Sequence, residues 1–196
     1  MASINLINLS GEVTLITEMA VAKAERPLEF RFRLSSKHLI LASPVLEKMY
    51  SGDWKEATER NEDGLLSWNA GDYLDPKAFS IVMGVIHGRN RKVPRSIDLE
   101  TLAKVAVVTD YLQCHEAMEI FSTLWIGHLE SSIPHMYCRE LMFWIMMSSI
   151  FQLPDVFTST TRTAILHSND VVTSIGLPIH DSTIGKHLGP SNTILV

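Results

Sequence analysis

The clearest alternation of apolar and polar positions lies in Phe30 to Leu34 (FRFRL). Phe30, Phe32 and Leu34 share one face and Arg31 and Arg33 the other, the pattern of a strand with one wet side. Gly11 to Thr17 (GEVTLIT) is rich in β-branched residues and predicts a second strand. The two are expected to pair as an antiparallel hairpin across the charged connection Val21 to Pro27. Leu65 to Trp68 predicts a third short strand. Between them, Ser35 and Ser36 are candidate N-caps for SSKHLILAS, and Ser43-Pro44 restarts the helix with serine at the N-cap and proline in the first turn. Val45, Leu46 and Met49 are expected to form its buried face, and the polar stretch Ser51 to Gly64 to be an exposed loop.

The remainder predicts helices. Asp75-Pro76 opens one whose Ala78, Phe79, Val82, Met83 and Ile86 follow helical spacing and which Gly88 ends. Asp98 caps DLETLAKVAVVTDYLQC, which is apolar around most of its circumference and is expected to be a buried central helix. Glu116 to Leu129 follows, with Met118, Phe121, Leu124 and Trp125 on its core face. Pro134 breaks the chain. Tyr137 to Phe151 is almost wholly apolar, which calls for a deep internal position or an interface, and Pro154 opens a last helix to about Leu166. From 168 onward the chain is poor in charge and is expected to be an irregular tail. With strands first and helices later, the fold class expected is α+β: a small three-stranded sheet flanked by a helical cluster, with a C-terminal helical extension. The expected organisation is 1–10 as an N-terminal segment, 11–131 as the domain, 132–167 as the extension and 168–196 as the tail.

Composition narrows the function. The chain has 196 residues and a formal net charge of −5, with 17 Lys and Arg against 22 Asp and Glu. That balance argues against binding nucleic acid or an anionic membrane. The basic loop Arg89 to Ser96 (RNRKVPRS) has no interleaved aromatic residue, and the bland reading is a solvated loop. Residues 1–10 lack the basic, apolar pattern of a secretory signal, and no apolar run approaches the ~20 residues of a membrane span. Cys114 and Cys138 read as reduced, buried, structural thiols of a cytoplasmic or nuclear protein. No GxGxxG, P-loop, GxSxG or HExxH motif is present, and the histidines are scattered without metal-ligand spacing. The expectation is a protein that is not an enzyme, with no cofactor, metal or small-molecule substrate.

Four pieces in order resemble the BTB/POZ family, and most closely the small BTB proteins of filamentous fungi. They are GEVTLIT with FRFRLSSKHLILASPVLEKMY, LLSWNAGDYLDPKAFSIVMGVIHGR, LAKVAVVTDYLQCHEAMEIFSTLWI and MFWIMMSSIFQLPDVFTSTTRTAIL, together covering about residues 10 to 166. Two features depart from the family pattern. Glu12 stands where an Asp is usual, and residues 1–10 are too short for the long N-terminal strand and helix of swapped dimers. The resemblance implies a protein-interaction module that self-associates or docks on a cullin-type ubiquitin ligase scaffold as an adaptor. Adaptors of that kind carry an apolar-x-Glu motif after the second helix, where Trp54-Lys55-Glu56 stands here. A large aromatic with a carboxylate two residues on suits a partner contact, and tryptophan is enriched among interface hot spots. An aromatic that packs back on its own domain is the competing reading. The alternative function is a transcription-associated regulator that contacts nucleic acid through 89–95.

Overall fold

The computed structural model describes residues 3–8, 13–19, 28–52, 55–60, 62, 64–71 and 74–167. The tail expected from 168 onward lies outside the described residues. The chain divides into two compact units, Met1–Arg95 with Val107–Ile120, and Ser96–Ala106 with Phe121–Val196.

The expected fold class needs correction. The described chain is mostly helical, and its strands do not form the small three-stranded sheet that the sequence pattern implied. Strands β1 (Ser3–Asn8), β2 (Val13–Met19), β3 (Leu28–Leu34) and β4 (Leu66–Gly71) lie in the order β1-β3-β2-β4. β2 and β3 are antiparallel, while β1 joins β3 and β4 joins β2 in parallel. The 1–10 segment, read only as an N-terminal segment outside the domain, supplies an edge strand, with Ile4 opposite Phe30 and Ile7 opposite Phe32. A parallel partner more than twenty positions away leaves no local turn signal, so periodicity alone does not reveal it.

In the first unit, Phe32 and Leu34 of β3 are buried and Arg31 and Arg33 exposed. Phe32 meets Phe79 edge-on at 4.8 Å between ring centroids, a favoured aromatic geometry. Phe79 belongs to α4 (Pro76–Ile86), whose N-cap Asp75 accepts the Ala78 N–H at 2.9 Å. Helices α1 (Ser36–Ala42) and α2 (Pro44–Ser51) pack on each other and α1 packs on α4. The expected exposed loop holds one helical turn, α3 (Lys55–Thr58), which packs on α2 and β4. Val45, expected in the core, is 42% exposed. It follows Pro44 in the first turn, and the helical rotation that buries Leu46 turns Val45 outward.

The second unit holds the first part of α5 (Leu99–Leu112) and the latter part of α6 (His115–Leu129). Asp98 caps α5 by accepting from the Thr101 N–H and hydroxyl, each at 2.8 Å. A single 3-10 turn (Glu130–Ser132) then leads to α7 (Arg139–Ile150) and α8 (Pro154–His167), which pack together. Every residue from Leu141 to Ser148 is buried, so α7 is the internal helix that its composition allowed. The buried face of α8 is Thr160, Thr161 and Ala164, small side chains that permit close helix approach. Thr160 places its hydroxyl on the Val156 carbonyl at 2.7 Å.

Three helices end in one way. After α4, the Gly88 N–H bonds the Val85 carbonyl and the Arg89 N–H reaches back to Gly84. After α5, Gln113 and Cys114 bond Asp110 and Thr109, and after α7, Gln152 and Leu153 bond Ser149 and Ser148. This paired arrangement satisfies last-turn carbonyls and needs a left-handed residue, found at φ 65° for Gly88, 51° for Gln113 and 55° for Gln152. A glutamine there has a Cβ penalty that glycine avoids, of about 1 kcal/mol. Gln152→Gly is therefore expected to stabilise the protein by roughly 0.5–1 kcal/mol, read as a higher urea midpoint at unchanged slope.

Candidate interaction surface

The first unit turns a corner between α1 and α2, and the sequence dictates how. Ser43 stands between the helices in an extended conformation. Its Oγ accepts the Leu46 N–H at 3.1 Å and so caps α2. The same hydroxyl donates to the Leu112 carbonyl at the end of α5. Ser43 is fully buried, so one hydroxyl satisfies two backbone groups that would otherwise be buried without partners. Ser35, the other serine expected as a cap, makes no side-chain cap bond; its Oγ lies 3.0 Å from His38 Nδ1.

The other end of α1 is held by His87, the residue that closes α4. The Ser35 N–H donates to His87 Nε2 at 3.1 Å, and His87 Nδ1 lies 2.8 Å from the Met83 carbonyl. An amide donor faces one ring nitrogen and a carbonyl acceptor faces the other. Only the neutral imidazole with its proton on Nδ1 satisfies both. Burial lowers the pKa of His87 from 6.5; the Met83 carbonyl opposes that shift, and His38 and Arg89 add to the lowering. His38 stacks on His87 with centroids 5.1 Å apart.

Between and beside these anchors two apolar side chains stand exposed among the charged Lys37, Glu47 and Lys48. Leu41 on α1 is 88% exposed and Val45 on α2 follows it across the corner. Tyr111 and Ile120 are further exposed residues of the same unit, and Met136 and Leu166 are exposed in the other. Of the expected partner-binding residues, Trp54 lies outside the described residues, while Lys55 and Glu56 open the helical turn α3. The sequence carries a signal for this tripeptide but none for Leu41, whose helical position near buried Leu39 does not mark it as facing outward.

The basic loop is a set of turns anchored by Val93, which is buried. A Cβ on Gly84 would come within 3.3 Å of the Val93 side chain, so α4 and the loop meet closely there. Arg91, Lys92 and Arg95 are exposed. Among the described residues no three His, Cys, Asp or Glu side chains are grouped as a metal site would require, and no helix is long and apolar enough to cross a membrane.

The cysteines differ from each other, which corrects the expectation that both are buried. Cys114 is buried, with its thiol pushed up to about 12 by desolvation. Cys138 is half-exposed because it precedes α7 rather than lying within it. The Glu140 carboxyl is held below the usual carboxylate range, first by its own backbone N–H and then by the Cys138 side chain.

The chain matches no protein-family model and no curated protein.

Since the thiolate is the reactive form, iodoacetamide on the folded protein at pH 8 is expected to label Cys138 and to spare Cys114. Intact-mass and peptide analysis should show one adduct, with the second only after denaturation.

Proposed function

We propose that the chain is a non-catalytic protein–protein interaction module of the BTB/POZ type, which self-associates or serves as an adaptor on a cullin-type scaffold. The observation that carries this reading is the exposure of Leu41 on a helix held at both ends. Leu41 stands exposed on a helix whose two ends are hydrogen-bonded to α4 and α5, and Val45 at the start of α2 is exposed as well. An apolar side chain on a fixed backbone contributes to binding without the ordering cost of a mobile segment. The order of the resembling pieces along the chain supports the same reading, as does the acidic balance, which gives the basic loop no help toward nucleic acid.

The consecutive run α1, α2, α3 defines the surface. Leu41 and Val45 would supply buried apolar area, and the Trp54-Lys55-Glu56 segment would supply an aromatic anchor and a carboxylate for a basic partner side chain.

Two measurements test the proposal together. Light scattering over a concentration series reads self-association, and titration calorimetry against a cullin amino-terminal domain reads adaptor binding. Association in at least one is expected. Leu41→Glu is expected to weaken whichever is found by tenfold or more, and Trp54→Ala with Glu56→Ala to weaken the cullin arm. A monomer that binds no scaffold, or association indifferent to Leu41→Glu, overturns the reading.

A further inference from the structure

We infer that His87 is a proton-operated latch: while its ring is neutral it ties the start of α1 to the end of α4, and protonation releases that tie. The ring makes two donor–acceptor contacts. Nδ1 carries its proton toward the Met83 carbonyl at 2.8 Å, leaving the Nε2 lone pair to accept the Ser35 N–H at 3.1 Å. Adding a proton to Nε2 sets two N–H donors against each other and removes the only acceptor this ring offers to α1. Ser35 is the N-cap residue, and its side chain caps no backbone N–H of α1; it meets the His38 side chain at 3.0 Å instead.

The consequence is large because α1 is short. A seven-residue helix has no independent stability and persists through its end contacts and packing. Among the described residues, the charged and titratable groups that act on His87 are His38 from α1, stacked at 5.1 Å, and Arg89 from the turn after α4. Both act to lower the His87 pKa, and neither offers a carboxylate that would shelter an imidazolium.

The direction of the pH effect follows. The folded-state pKa of His87 lies below the unfolded value, so the unfolded state binds more protons in the interval between them. The stability contributed by the neutral ring is complete above pH 6.5 and is lost as pH falls from there through the lower folded-state value. The surface affected is the one carrying Leu41, so acidification would loosen the helix that presents it.

The test is an NMR titration of the wild-type protein from pH 8 downward, with ¹⁵N-labelled histidine and amide exchange read in parallel. At pH 8 the His87 ring is expected in the Nδ1–H tautomer. Its midpoint should lie below 6.5, and the Ser35 amide should shift with the same midpoint while α1 amides lose protection tenfold or more ahead of α5 and α7. His38→Gln, a change on the exposed side, should raise the His87 midpoint and keep the coupling to Ser35. An Nε2–H tautomer at pH 8, a midpoint at or above 6.5, a Ser35 amide that ignores the titration, or loss of protection in all helices together would each overturn the latch. None of these readouts depends on partner binding, so the latch and the proposed interaction function stand or fall separately.

Discussion

The first unit depends on one buried hydroxyl. Ser43 accepts from the first turn of α2 and donates to the last carbonyl of α5, and it has no exposure to water. Without it, the Leu46 N–H and the Leu112 carbonyl would each be buried unpaired, at about 1–3 kcal/mol apiece. Proline at 44 makes the arrangement local and inexpensive, because the first-turn position needs no N–H and the fixed φ suits a helix start. The serine-proline pair therefore sets both the angle of the corner and its attachment to a distant helix.

That attachment explains how a short helix can display an apolar residue. The α1 backbone is fixed by Ser43 at one end and by His87 at the other, with Leu39 buried beneath it. Leu41 is left exposed on that helix. The two anchors differ in kind. The serine has no titratable group, while the histidine is satisfied in one protonation state only. The corner thus combines a permanent fixture with a conditional one.

Much of the helical half was legible because its signals are local. Asp75-Pro76, Asp98 and Pro154 mark helix starts by capping chemistry that operates within a single turn. The apolar run in α7 could be read as a helix, but only packing distinguishes an internal position from an interface, and the structure buries it from Leu141 to Ser148. The sheet was less legible. β1 was missed because its partner is parallel and remote, and the expected three-stranded arrangement failed for that reason. At the corner, the Ser43-Pro44 cap was visible, but the outward turn of Val45 and Leu41 follows from tertiary contacts that spacing does not encode. His87 read as one of several scattered histidines, since its two partners are a backbone amide and a carbonyl, which leave no sequence motif.

The claim that everything else rests on is the permanence of the Ser43 fixture, and native-state hydrogen exchange at the Leu46 amide at neutral pH tests it most directly. If the buried hydroxyl holds the corner as described, that amide exchanges only through the large opening that also exposes the buried amides of α4. Exchange at a rate close to that of solvent-exposed amides, while α4 stays protected, would contradict the account.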